Sequence, residues 1–292
     1  MQYRYIIFSA ILTSMIAVAS LVYFYEGGAK RNSDIIAEYT EQNAPEEAIV
    51  IAAFGQSNIG NHVNPKFAGE IPDNLLQFDW RSGNIYKYRE PLLGNTGRDG
   101  FALTPFFRDL ANATGRPVIA VPFAISSSSV LEWAYGQLGT LQARALKKAQ
   151  EAGLTIDMFL WHQGERDSRL IDDASRIDNT PYFKSLPAGE RPGLESGVYA
   201  DALGRVIARS HAAFPNALFG IALVSRGARF IDEDIRDAQK RVAASLPYTF
   251  LTVDADAIHG KEYRFDGVHF SQAGAREVSR RYAESVFPRL ID

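Results

Sequence analysis

A chain of 292 residues with a formal charge of −3 has no basic surplus with which to hold nucleic acid. Apolar residues make up 46% and charged residues 22%, the balance of an ordinary folded protein. Cysteine is absent, which excludes disulfides, thiol nucleophiles and thiolate metal sites.

Residues 1–5 form a short tail, and Ile6 to Tyr25 is an uncharged, almost wholly apolar stretch. Twenty residues at ~1.5 Å each span roughly 30 Å, the thickness of a bilayer core. Tyr3 and Tyr5 on one side, and Tyr23 and Tyr25 on the other, suit the two interfaces. The expectation is a single-pass transmembrane anchor, with the bulk of the chain on the periplasmic or extracellular side. The alternative is a signal peptide cleaved near Ala17-Val18-Ala19, leaving a secreted protein. Arg4 before the span and Lys30 and Arg31 after it nearly cancel, so orientation rests on the short tail staying inside. Residues 26–47 read as a polar linker, with a short helix over Asp34 to Gln42 that Pro45 stops. The folded domain is residues 48–292.

Within it, Ile49 to Phe54 is an apolar, β-branched run that ends at Gly55. Leu75 to Trp80 and Ile85 to Tyr88 flank Arg81-Ser82-Gly83-Asn84 as a hairpin. Thr104 to Thr114 is a helix stopped by Gly115, and Val118 to Ala124 a second buried strand. Leu138 to Ala152 is a helix, Ile156 to Trp161 a third strand, Val198 to Ala213 a helix and Leu218 to Val224 a fourth strand. Ile231 to Leu246 is a helix, Phe250 to Val253 a fifth strand, and Ser271 caps a last helix that runs to Val286. Short apolar strands alternating with longer helices predict an α/β/α sandwich. Its sheet is mostly parallel, about five-stranded and flavodoxin-like, with ligands at the C-terminal strand edge.

Three stretches near that edge carry candidate chemistry. Gly55-Gln56-Ser57-Asn58 presents a hydroxyl just beyond a strand. Trp161-His162-Gln163-Gly164-Glu165 again ends a strand in a glycine turn and offers an imidazole, an amide and a carboxylate. Asp266-Gly267-Val268-His269 spaces a carboxylate and an imidazole across a tight turn, so that Asp266 can orient His269 and leave Nε2 free to take a serine proton. Each residue alone has a plainer reading. Asp266 can cap the last helix, His269 can be a satisfied histidine, and Glu165 can pair with Arg166 or Arg169. His211 and His259 have no partner in sequence, and His62, in the loop after Ser57, reads as structural before substrate-contacting. Together Ser57, Asp266, His269 and Gln163 supply the nucleophile, oriented base and amide donor that acyl transfer needs.

The three stretches resemble the signature blocks of the SGNH-hydrolase superfamily, and more narrowly its sialate O-acetylesterase-like branch, which includes carbohydrate esterase family six. The resemblance covers Ala48 to about Ile291 in the right order. It implies the SGNH fold and metal-independent, cofactor-free ester hydrolysis, commonly removal of acetyl groups from a sugar or polysaccharide. By resemblance Ser57 is the nucleophile, His269 the base and Asp266 its orienting acid. Gln163 stands where the superfamily has an oxyanion-hole asparagine, and Glu165 supports the site. Gln56, Asn58 and His162 are assigned to substrate. A glycine N–H completes the oxyanion hole, and among Gly94, Gly97 and Gly100 the last is favoured because a helix starts just after it. Where the branch has a Gly-Gly-Thr-Ser-like segment, this chain has Ser126-Ser127-Ser128-Ser129 before Glu132-Trp133. The long polar connection from Arg166 to Leu194 reads either as a lid over the site, with Tyr182, Phe183 and Lys184 to stack on and bond a sugar, or equally as a mobile surface excursion. An O-acetyltransferase using the same triad, or a catalytically silent glycan-binding protein, are the rival functions.

Overall fold

The computed structural model describes residues 35–168, 194–226 and 231–291. The expected anchor at Ile6 to Tyr25 and the lid residues Tyr182, Phe183 and Lys184 lie outside these. No helix among the described residues is long and apolar enough to cross a membrane. The chain divides into two units at Thr40. In the first, the described residues hold one 3-10 turn, Ile36–Glu38, where a longer helix was expected.

The second unit is built on an eight-stranded sheet. Its strands and the small pair beside it are β1 Glu41–Gln42, β2 Ile49–Gly55, β3 Asn61–Val63, β4 Leu75–Asp79, β5 Asn84–Lys87, β6 Gly100–Phe101, β7 Val118–Ala124, β8 Met158–His162, β9 Leu218–Leu223 and β10 Thr249–Asp254. The helices are α1 Thr104–Thr114, α2 Val130–Tyr135, α3 Gln137–Glu151, α4 Ser196–Ala213, α5 Glu233–Ala243 and α6 Gln272–Val286. The sheet order is β1-β5-β4-β7-β2-β8-β9-β10, parallel from β4 to β10, with β5 and β1 antiparallel at one edge. The five-stranded expectation is therefore too small. The hairpin β4–β5 docks on the main sheet through Leu75 to Gln77 beside Val118 to Ala120, and β1 extends it.

The central strands β2, β7 and β8 are buried along their whole length, which is why they read as continuous apolar runs. Alternate residues feed two cores. Ile51, Ala53 and Leu160 join Phe106, Phe107, Leu110, Val278 and Tyr282 of α1 and α6. On the other face Phe54 packs against Phe123, Phe159 and Trp133, and Trp133 meets Trp161 edge-on at 5.3 Å. Trp133 belongs to α2, a one-and-a-half-turn helix that no period announced. Ser129 starts it, accepting the Leu131 N–H while Glu132 returns to the Ser129 N–H as a capping box.

Candidate active site

β2 and β8 stay paired to their last residues, Gly55 beside His162. A Cβ on Gly55 would fall 2.1 Å from the His162 carbonyl oxygen, so only glycine allows this approach. A Cβ on Gly164 would fall 1.8 Å from the Val224 carbonyl at the end of β9. Two of the three motifs are thus locked into adjacent strand ends by bare backbone. From Gly55 the chain turns through Gln56 into a single 3-10 turn, Ser57–Ile59, which lifts Ser57 from the sheet edge.

The third motif reaches Ser57 from the far end of the chain. Ser57 Oγ lies 3.0 Å from His269 Nε2, and His269 Nδ1 lies 2.6 Å from Asp266 Oδ2. The other Asp266 oxygen accepts the Val268 and His269 N–H groups at 2.9 and 2.7 Å, which closes the turn around Gly267. Burial pushes the Asp266 carboxyl up, but the ring and backbone hydrogen bonds outweigh it and hold the group below the usual aspartate range. An anionic Asp266 keeps the proton on Nδ1 and leaves Nε2 to accept from the serine hydroxyl. Arg264 braces the turn from beneath: its guanidinium donates to the carbonyls of Ala255, Ile258 and Val268 and lies 4.2 Å over the Phe270 ring. The arrangement sets a hydroxyl, an imidazole and a carboxylate in one hydrogen-bonded line.

The other expected site residues point elsewhere. Gln163 is fully buried, and its amide nitrogen donates to Asp167 Oδ2 at 2.7 Å and the Ser128 carbonyl at 2.9 Å, with Gln56 Oε1 at 3.3 Å. Its oxygen accepts from the Tyr199 hydroxyl at 3.0 Å. Two amide hydrogens facing three internal acceptors leave none for an oxyanion, so the expected donor role of Gln163 is corrected to a buried structural one. Gln56 is likewise internal, its oxygen receiving Gln163 and the Arg166 N–H. His162 is fully buried against Tyr282, Nδ1 to hydroxyl 3.0 Å, and burial lowers its pKa to about 3, so it is neutral and out of reach of substrate. Asn58 turns inward and donates to Glu165 Oε1 at 2.7 Å. Burial raises the Glu165 pKa to about 7. Glu165 therefore fastens the turn that carries Ser57, while Gln56, Asn58 and His162 are not substrate contacts. The signal for this was available: residues flanking a strand end that is buried on both faces enter the layers, not the solvent.

Gly100 also moves from its expected place. It pairs with Val63 in the small β3–β6 ribbon, next to Glu90. Gly97, at φ +92°, is the glycine at the site: a Cβ on it would come within 2.9 Å of His62 Nε2. His62 in turn stacks on His269, ring centroids 5.1 Å apart and planes 20° from parallel. This neighbour of the base carries no motif, and only the folded chain brings it there.

Comparison with known proteins then places the chain. Residues 49–180 match the family described as carbohydrate esterase, sialic acid-specific acetylesterase. The match marks the protein as a carboxylic ester hydrolase. The match covers the motifs of Ser57 and Gln163 but stops short of Asp266 and His269, which the fold supplies. A protein from Arabidopsis thaliana superposes with a TM-score of 0.59 at 17% identity, over 82% of this chain and 98% of its own. A carbohydrate acetylesterase from Xanthomonas citri gives 0.54 at 17% identity, over 82% of this chain but only 57% of its own length. A lipase/acylhydrolase from Enterococcus faecalis gives 0.50 at 12% identity, over 82% and 96%. At these identities the structures share the fold. A sequence comparison with curated proteins gives no match.

In this esterase the serine-rich segment takes over from the glycines expected there. Ser127 adopts φ +58°, the left-handed conformation that glycine enters without a Cβ penalty. Ser128 Oγ accepts the Trp133 indole N–H at 2.9 Å, and Ser126 Oγ lies 2.6 Å from His62 Nε2. The two described ends of the long connection also meet, the Leu194 N–H donating to the Asp167 carbonyl at 3.0 Å.

Proposed function

We propose that the esterase removes O-acetyl groups from a sugar or polysaccharide through an acetyl-enzyme on Ser57. The hydrogen-bonded line Ser57–His269–Asp266 carries this reading. Ser57 Oγ attacks the acetyl carbonyl carbon as His269 Nε2 takes its proton. Collapse of the adduct breaks the bond to the sugar oxygen, which receives that proton. Water then attacks the acyl-enzyme, His269 takes its proton, and acetate leaves as Ser57 recovers its hydroxyl. Asp266 stays anionic and steadies the imidazolium. The N–H groups of Ser57 and Gly97 have no acceptor among the described residues, and they are the donors assigned to the oxyanion. The apolar stretch Ile6 to Tyr25 supports a membrane anchor that holds this domain outside the cytoplasmic membrane.

The test uses the full-length chain in detergent, an acetylated sugar, and a Ser57→Ala control. Acetate release that is absent from the control supports the reading. Release that persists in the control removes Ser57 from its role. Transfer of acetyl to an added sugar, with no free acetate, makes the protein an O-acetyltransferase instead.

A further inference from the structure

We propose that His62 is a positioning residue for the general base, holding the His269 ring in the plane that aims Nε2 at Ser57. The inference rests on the triad assigned above and extends it to a residue outside every motif.

His62 is the middle residue of β3, and the strand is pinned on either side of it. Asn61 donates to the Leu92 carbonyl at 2.8 Å and accepts the Leu92 N–H at 2.9 Å, while Val63 is buried. Alternation along the strand sends His62 to the opposite side, toward the site. Two glycines make room for it. A Cβ on Gly60 would lie 3.1 Å from His62 Cδ2, and one on Gly97 would lie 2.9 Å from Nε2. A third restraint is a chain of hydroxyls. His62 Nε2 is 2.6 Å from Ser126 Oγ, which is 2.7 Å from Thr96 Oγ1, and Thr96 Oγ1 accepts the Ser126 N–H at 2.8 Å. The His62 ring is therefore fixed in place and in rotation.

His269 is not so well held. Asp266 grips it at Nδ1 alone, and the side chain keeps a quarter of its surface in solvent. The ring's other hydrogen bond, Ser57 Oγ to Nε2, is the one that must change as the proton moves, and Phe265 stands farther off, at 6.3 Å. Only Nδ1 is anchored to a group that stays put, so the ring can tilt about it and swing Nε2 away from Ser57. A fixed flat neighbour at 5.1 Å removes that freedom. The charge state suits the task. Burial, and then the neighbouring His269, lower the His62 pKa to about 4, against weaker opposing effects of Asp99 and Asp266. At neutral pH a neutral ring faces His269, so the imidazolium formed during acylation meets a π face and not a like charge.

Full-length His62→Ala, His62→Phe and Ser57→Ala are compared with the unchanged protein on an acetylated sugar, with thermal unfolding of each. We expect His62→Ala to lower kcat by roughly 10- to 100-fold, the penalty of a mispositioned base, with KM within about twofold. We expect His62→Phe, which restores a flat ring without the hydrogen bond to Ser126, to recover most of the lost kcat. Three results overturn the proposal: kcat unchanged in His62→Ala, a loss carried by KM with kcat intact, or a His62→Phe variant that is folded yet no better than His62→Ala. Activity that survives Ser57→Ala would instead bring down the triad reading, and this inference with it.

Discussion

Replacing Gln163 with alanine separates the two roles that this residue can have. In the structure its amide nitrogen serves a buried carboxylate, Asp167, and a buried carbonyl, that of Ser128. Loss of a hydrogen bond to a charged group costs about 1.5–3 kcal/mol, and loss of one to a buried carbonyl about 1 kcal/mol. Tyr199 is spared, because its hydroxyl keeps the Gln163 backbone carbonyl at 2.6 Å. The sum is about 2.5–4 kcal/mol, which lowers the melting temperature of a domain of this size by roughly 10 °C. Asp167, already raised to about pH 6 by burial, would be driven higher, so the deficit should shrink in acid, where the group is protonated. The assay is differential scanning calorimetry beside acetate release at a temperature where the variant is folded, and turnover should stay within about threefold. A variant that melts like the unchanged protein but turns over 10²–10³ times more slowly would show an oxyanion donor and refute the structural assignment.

Four further outcomes are expected. Gly164→Ala forces a methyl against the Val224 carbonyl and should yield little folded protein, read by expression and circular dichroism. Ser127→Gly relieves a left-handed residue and should raise the unfolding free energy in urea by about 0.5–1 kcal/mol. Glu165, raised to about 7 from 4.5 by burial, binds its proton more tightly folded than unfolded, so it adds stability as pH falls from 7 to 4.5. Asp167, raised to about 6, acts in the same direction, while His162 and His62, lowered to about 3 and about 4, do the reverse below 6.5. Two groups on each side should leave stability nearly flat between pH 4.5 and 6.5. Glu165→Gln removes one of the two carboxyl groups from that balance, and its urea stability should fall on acidification by at most about 3 kcal/mol relative to the unchanged protein; a parallel pH profile would refute this. Phe265 is 48% exposed and 6.3 Å from the His269 ring, so on the acetylated sugar proposed as substrate Phe265→Ala should raise KM and spare kcat.

The parallel strands were legible because burial on both faces writes an unbroken apolar run, and the hairpin because Gly83 marks its turn. The edge strands β1, β3 and β6 were not, since two or three residues show no period. Helix α2 hid behind a serine cluster whose capping role is local geometry. Ser57, Asp266 and His269 were readable as motifs because their chemistry demands those residue types in a fixed local frame. Gln163, His162 and Gln56 lie in the same motifs, yet they face the layers beneath, where Tyr199 meets Gln163, Tyr282 meets His162, and Gln163 itself meets Gln56. His62 was visible only as a histidine in the loop after Ser57, read as structural, because its relation to His269 exists only across the fold.

Ser57 and His269 are 212 residues apart. At about 5–20 residues per second, synthesis takes roughly 10–40 s to carry the growing chain from one to the other. On the triad proposed above, the nucleophile is made throughout that interval but has no base until α6 docks and brings the Asp266–His269 turn to Ser57. On that reading a chain still growing, or cut before Asp266, is silent, and the later motif licenses the earlier one.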